Sequence, residues 1–345
     1  LDRSHIIHQD GMTLTGDTIY YDKANEYGRC IGHIESVDSA NQMTLFGNRG
    51  EVWENGHRAY VTDSAMMLEW SDTTDLTYMH ADSLWAEEIP FTTYSLIERD
   101  SILVDSVMTA QMPDTIWRDT TYQQLRAFHN VRIFRSDMQA VCDSARYHGK
   151  DSILTLFGLP ICWNEDNQLS ADQIDVYIKN QEVDYMHGVG NAIAIKREGI
   201  EEFNQLAGKE MFAYVRDRDI YLVDVQGNAE TVFYPQEDDG TYIGVNRTQS
   251  SFVKLYLKDR KIDYVLFTTA TTGVMIPLDQ ALENERKLSG FFWAEEERPH
   301  SPEDIFSHPP RTVRPVAGTV SAAAEDEEEA EEDEEENKAT RRQNR

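Results

Sequence analysis

Short apolar runs separated by polar turns recur along most of this chain, and that recurrence leaves few architectures open. Between residues 131 and 179 one pattern is stated twice. Cys142-Asp143 and then Ala171-Asp172 precede a few alternating residues. A polar turn follows, His148 to Asp151 in one case and Lys179 to Glu182 in the other, and a second apolar strand begins. Gly16-Asp17, Asp63-Ser64 and Ala81-Asp82-Ser83 repeat the opening elsewhere. Runs of 4–7 residues rich in β-branched and aromatic side chains, spaced by turns, predict an all-β array of hairpins. Asn55-Gly56 marks one turn plainly.

Alternation assigns faces. Ile174, Val176 and Ile178 fall on one side of their strand, and Val253, Leu255 and Leu257 on one side of theirs. Ile133, Ile193 and Ile195 are read as inward by the same reasoning. The β-repeat segments are 1–88 and 123–276. Residues 89–122, with Pro90 and Pro113, read as an insertion or irregular linker. Two stretches read as helical, Glu198 to Leu206 and Pro277 to Leu288. Residues 277–298 are expected to form a helical cap over the open end of the sheet. From Pro299 to Arg345 the chain is rich in Pro, Ala and Glu, the composition of a disordered acidic tail.

Charge narrows the partners. The 345 residues carry a net charge of −30, and 11 of the 12 residues from Glu325 to Glu336 are acidic. Such a surface repels phosphate backbones at long range, so no nucleic-acid partner is expected. An anionic lipid would be held by its acyl chains and by local bases such as Arg132, Lys196, Arg197 or Lys254. No run approaches the ~18 apolar residues of a membrane-spanning helix. The chain opens Leu1-Asp2-Arg3, which fits a mature chain whose signal peptide has been removed, or a trimmed one. Cys30, Cys142 and Cys162 lack metal-ligand spacing, and which of them pair, if any, stays open.

Catalytic constellations are scarce. There is no phosphate-binding glycine loop, no GxSxG and no HExxH. His5 and His8 are the one close histidine pair, read as solvated surface rather than as a metal site. Asp17, Asp63, Asp82, Asp143 and Asp172 stand at matching places in successive units. A residue repeated in every unit is architectural by preference, an Asp bonding nearby backbone N–H groups where a strand starts. The rival reading makes Asp143 and Asp172 the carboxylates of a polysaccharide-acting β-repeat enzyme. A third is a purely structural β-repeat scaffold.

The residues Val131 to Gln139, Cys142-Asp143-Ser144, Leu156-Phe157, Trp163, Gln168-Leu169 and Asp172-Gln173-Ile174 together resemble the OstA-like family of Bacteroidetes-type bacteria. Gly227 to Glu230, Ile243 to Asn246 and Leu288 to Trp293 extend the likeness over roughly residues 12–306. That family is related to the periplasmic lipopolysaccharide-transport proteins. The resemblance implies a folded-over antiparallel β-jellyroll, a β-taco, whose apolar trough holds acyl chains. It implies lipopolysaccharide or lipid A as ligand. Partnership with other transport proteins by β-strand augmentation is implied as well, and so is head-to-tail self-association. A periplasmic location, with association to the outer membrane, goes with it. No enzymatic activity, cofactor or metal is expected. The lipid-contacting candidates are Ile133, Ile174, Val176, Ile178, Ile193, Ile195, Val253, Leu255 and Leu257.

Overall fold

The structure is a computed structural model that describes residues 4–7, 12–70, 75–97, 114–237, 239–309 and 311. The described residues form twenty-one strands in one antiparallel sheet. They are β1 (Ser4–Ile7), β2 (Met12–Gly16), β3 (Thr18–Asp22), β4 (Tyr27–Asp38), β5 (Met43–Trp53), β6 (Arg58–Thr62) and β7 (Met66–Glu69). Next come β8 (Thr77–His80), β9 (Ser83–Ile97), β10 (Asp114–Arg135), β11 (Met138–His148), β12 (Ile153–Phe157), β13 (Ile161–Asn164) and β14 (Asn167–Ser170). The rest are β15 (Gln173–Lys179), β16 (Glu182–Arg197), β17 (Phe203–Arg216), β18 (Asp219–Phe233), β19 (Val245–Lys258), β20 (Lys261–Thr268) and β21 (Thr272–Ile276).

The sheet is folded lengthwise into two walls. Long strands belong to both, bending at the fold line, while short strands belong to one. Thus β4 pairs with β3 before its bend and with β2 after it. Likewise β11 pairs with β12 on one wall and β13 on the other. The first wall contains β3, β6, β9, β12, β15 and β20, and the second contains β1, β2, β7, β8, β13, β14 and β21. The ladder shifts register at the fold line, between Ile31 and Ile34, Phe128 and Val131, Val189 and Ala192, and Gln226 and Ala229. Such bulges bend a strand and let it pass from one sheet face orientation to the next.

The repeated aspartates stand on this line. Asp17 donates its backbone N–H to Gly32 at 2.9 Å, and Asp172 does the same to Gly190 at 2.9 Å. Their carboxylates reach side chains on the neighbouring strand. Asp17 lies 2.7 Å from His33 Nδ1, Asn191 Nδ2 donates to Asp172 at 2.9 Å, and Asn130 Nδ2 donates to Asp82 at 3.1 Å. The expected bonds to local backbone N–H groups are replaced by ties between strands. Gly190 shows why this spot is chosen: its φ is +74°, and a Cβ there would fall on the Asp172 carboxylate.

Inward side chains form continuous rows. On the first wall Leu156, Ile174, Gly188, Met211, Val225, Val253 and Phe267 are successive cross-strand partners. On the second wall Met79, Ile133, Ala140, Cys162, Leu169, Ala194 and Leu206 run in the same way. Both rows feed one apolar core. Alanines such as Ala127, Ala145, Ala171 and Ala192 are buried in it and allow the walls to approach. Among the described residues no ladder joins β1 or β3 to β20 or β21, so the folded sheet is an open roll.

Four expectations meet a different structure. The described parts of 89–122 are not irregular: β9 and β10 pair from Ser83–Phe128 out to Ile97–Asp114. Beyond Glu87 and Gln124 these strands pair with each other alone, making a two-stranded arm. The arm carries a Tyr94–Trp117 ring pair at 5.4 Å. Its polar Thr-rich alternation (Thr92, Thr93, Thr120, Thr121) belongs to a ribbon wet on both faces, which hides it from a search for half-buried strands. The stretch Glu198 to Leu206 is a turn followed by the start of β17.

The C-terminal segment is no helical cap over an end. Only Glu283–Arg286 is α-helical, and residues 277–309 run as a strap across the outward face of the second wall. Order also continues past Pro299, through a 3-10 turn (Pro302–Phe306) whose Ile305 is fully buried. Residues 312–345, the acidic run included, lie outside the described residues.

Three glutamines hold the strap. Gln139, Gln168 and Gln205 stand in one outward row, separated by Trp163 and Ile195. Gln205 donates to Arg286 O at 2.7 Å and accepts from Leu288 N at 2.7 Å. Gln139 accepts from Arg298 Nε at 2.8 Å. The Gln205 amide acts as a peptide group would in a sheet ladder and satisfies backbone polar groups of the strap, whereas Gln139 holds the strap through the Arg298 side chain. Cys30, Cys142 and Cys162 are all buried, and no disulfide joins them.

Candidate functional site

The two walls pack closely in the middle of the roll and separate toward its C-terminal end. There they leave a cavity of about 440 Å³. Strands β16 to β20 supply the first-wall side, with Met186, Met211, Ala213, Val223, Val253, Leu255, Leu257, Val265 and Phe267. The second wall supplies Cys162, Leu169, Ala194, Leu206 and Thr231. The surface is mostly aliphatic, aromatic or sulfur-bearing, with polar residues such as Asn164, Asn204, Asn246, Asp219 and Arg260 also bordering it. Within it the Thr231 hydroxyl is buried with no hydrogen-bond partner among the described residues. An apolar space of this size excludes charge and takes hydrocarbon, at about 25 cal/mol per Å² of apolar surface removed from water.

The cavity's long opening lies at the hairpin tips. Two tip residues reach across it. Arg260 pairs with Glu165 of the second wall, and its Nε bonds Asp219 Oδ1 on its own wall at 2.8 Å. Arg218 Nη1 lies 3.5 Å from Asp75 Oδ2. Both arginines occupy left-handed turn positions, φ +67° at Arg218 and +62° at Arg260, in two-residue hairpin loops opened by Asp217 and Asp259. Arg260, exposed and tied to Asp219 and Glu165, is held above its usual pKa by them. Exposed pairs of this kind are screened by water and salt and hold weakly.

A second, more polar cavity of about 320 Å³ lies at the N-terminal end of the roll, bordered by Met43, Leu45, Val52, Ala59, Ala86 and the polar Asp38, Glu54, Glu87 and Gln123. Gln123 Nε2 donates to Asp38 Oδ2 at 3.2 Å, tying the walls at that end.

The nine lipid-contacting candidates divide into three groups. Val253, Leu255 and Leu257 border the large cavity. Ile133, Ile174 and Val176 face inward but are buried in the closely packed part of the core, with Ile178 half-buried against it. Ile193 and Ile195 belong to a different cluster, with Val232, Tyr234 and Leu288 beneath the strap. Their strand forms a wall of the cavity, so Ile195 borders it, but the inward positions there are Ala192 and Ala194. The reason is that this half of β16 is apolar on both faces, Ala192 and Ala194 toward the core and Ile193 and Ile195 toward the strap, so the bulkier pair is the outward one.

Alternation alone does not single out Met211, Val223, Val265 and Phe267. The signal for two of them is the pairing of β19 with β20, which sets Phe267 opposite Val253 and Val265 opposite Leu255. None of the four bases proposed for a headgroup stands free at the opening. Arg132 is buried, donating to Glu297 O at 2.8 Å, and burial holds its pKa below the usual guanidinium range. Lys254 pairs with Asp224 at 3.1 Å on the outward face, while Lys196 pairs with Glu198 at 2.7 Å and Arg197 donates to Gly199 O. That outward face of the first wall is a ladder of rings: Tyr177 stacks on Tyr185 at 4.1 Å and Tyr256 on Tyr264 at 4.3 Å. Packing among rings and neighbours pushes the Tyr185 hydroxyl up to about 12.

Asp143 and Asp172, the carboxylates of the enzymatic alternative, both stand on the fold line and not at the cavity. His8 of the histidine pair lies outside the described residues. Among the described residues no group of three or more His, Cys, Asp and Glu is placed to hold a metal ion, and no helix is long and apolar enough to cross a membrane. The chain matches no protein-family model and no curated protein. The likeness to the OstA-like family therefore rests on the residues quoted for it.

Proposed function

We propose that this chain is a non-enzymatic periplasmic module that binds lipopolysaccharide, holding its acyl chains between the two walls during transport to and assembly of the outer membrane. The observation that carries the reading is the apolar cavity of about 440 Å³ inside an open roll. A core made only for stability closes on itself at crystal-like density. Here Val253, Leu255, Val265 and Phe267 pack beside one another on their wall and border open space between the walls.

The roll's open ends support the partner half of the proposal. Among the described residues, strands β20 and β21 each pair on one side only, with β19, and leave a row of backbone donors and acceptors for another strand. Such an edge accepts a further strand by β-augmentation, from another transport protein or from a second copy joined head to tail.

The test is to produce the full chain in cells that make lipopolysaccharide, purify it without detergent, and identify bound lipid by mass spectrometry. Lipid A-bearing species are expected with the wild-type chain and are expected to be lost in Leu255→Trp, which fills the cavity. Lipid-free wild-type protein, with turnover of a glycan that disappears in Asp143→Asn, would instead support the polysaccharide-acting enzyme.

A further inference from the structure

The apolar cavity is not a separate compartment. Met138, Asn164, Met186 and Ile220 border it and also border a second pocket of about 290 Å³ at the opening between the walls. The two spaces differ in chemistry. Where the first is lined mostly by apolar side chains, the second gathers Arg135, Lys179, Arg216 and Arg218. We propose that this polar pocket is the headgroup subsite of the cavity, taking a phosphate-bearing group while the attached chain lies against Leu255 and Val265.

This deepens the lipid-binding reading and rests on it. Four cations in one small pocket are a concentration that a chain of net charge −30 does not produce by spreading its bases evenly. Acids are present too: Asp137, Glu182, Asp184 and Asp217. Asp137 is engaged by Arg135, whose Nε and Nη2 meet it at 2.5 and 2.9 Å. The pocket as a whole is thus neutral, against acidic surroundings. Arg216, which borders the pocket, rests its guanidinium 4.3 Å from the Tyr221 ring centre, a contact that limits its side-chain freedom. Arg218 sits on the adjacent turn, with its weak 3.5 Å tie to Asp75 and a 4.0 Å approach to Glu182. A phosphate can replace such partners, because a guanidinium takes two of its oxygens at once and gives up little hydration to do so. Arg260 lies at the cavity's opening on the next hairpin tip, so all three arginines line the path along which a lipid would enter.

Calorimetric titration of the full chain with three probes tests this. Dodecyl phosphate and dodecyl maltoside, each below its micelle concentration, share a chain and differ in charge; sodium phosphate has the headgroup alone. The wild-type chain is expected to bind dodecyl phosphate about tenfold more tightly than the maltoside. In the Arg216→Gln/Arg218→Gln double variant that preference is expected to vanish, with maltoside binding unchanged. Leu255→Trp is expected to weaken both, and thermal unfolding verifies that each variant is folded. Equal binding of the two amphiphiles by the wild-type chain, or a preference that survives the double variant, overturns the headgroup subsite and leaves the apolar cavity standing. Sodium phosphate binding as tightly as dodecyl phosphate, unaffected by Leu255→Trp, overturns it in favour of a free-anion site. No binding of either amphiphile overturns the lipid reading as well.

Discussion

The carboxamide of Gln168 is hydrogen-bonded to the backbone at Phe292: its Nε2 donates to the Phe292 carbonyl at 2.9 Å. Its Oε1 accepts from Ala294 N, also at 2.9 Å. Gln205 makes the same pair of bonds two residues apart, to Arg286 and Leu288. The strap is therefore docked as a surrogate strand, on side chains instead of on a sheet edge. Gln168→Leu strands a buried carbonyl and a buried N–H, each costing ~1–3 kcal/mol. The expected loss is about 2–4 kcal/mol in urea unfolding, with protease cleavage appearing first in residues 277–309. An unchanged midpoint would show that the strap is held by its apolar contacts alone.

Glycine on the fold line is required by geometry. Gly190→Ala places a methyl at φ +74° against the Asp172 carboxylate, whereas Gly240 (φ +85°) has open space around its added carbon. Left-handed strain costs ~1–2 kcal/mol at either site. The steric clash is added only at Gly190, so Gly190→Ala should lower stability by about 2–4 kcal/mol and Gly240→Ala by about 1. Equal losses would count against a close-packed fold line.

Packing should differ along the roll. Ile174 is fully buried in the close-packed middle, and Ile174→Ala should cost about 2–5 kcal/mol. Leu255 borders empty space and already lacks neighbours on one side. Leu255→Ala should cost about 1 kcal/mol by the same denaturation measurement, and an equal cost would mean that the cavity is filled by side chains in solution.

A histidine beneath the strap makes stability pH-dependent. His80 packs against Phe306 and His308, with ring centres 4.8 and 5.2 Å away, and its Nδ1 lies 2.6 Å from Ala65 O. Burial holds its pKa below the usual 6.5; the Ala65 bond and Asp82 oppose the shift, while His308 and Arg132 add to it. The fold thus prefers the neutral ring, and the unfolded chain takes up a proton that the folded one refuses. This contribution is complete above about pH 6.5 and is lost as pH falls through the folded-state pKa. Urea midpoints should decline from pH 7 to pH 5, with a smaller decline in His80→Gln. Identical slopes would remove His80 as the cause.

Much of this was legible in the residues. Alternation in 174–178 and 253–257 assigned the inward face correctly, because those strands are regular on the first wall and only one face is apolar. The recurring Asp marked the fold line. Ile193 and Ile195 were assigned inward because the second wall is apolar on both faces there, one toward the core and one toward the strap. With both faces buried, polarity no longer distinguishes them. The strap itself was hidden for a related reason. Its order comes from bonds to Gln168 and Gln205, more than 80 residues away in sequence, and no local propensity encodes them.

Site-specific photocrosslinking at Leu255 and at its neighbour Lys254 tests the central claim most directly. The two positions sit on one strand and face opposite ways, Leu255 into the cavity and Lys254 toward Asp224 outside. In cells that produce lipopolysaccharide, a crosslinker at 255 is predicted to capture it and one at 254 is not. Capture at both positions alike, or at neither 255 nor 253 nor 265 in folded protein, would contradict a lipid-carrying trough.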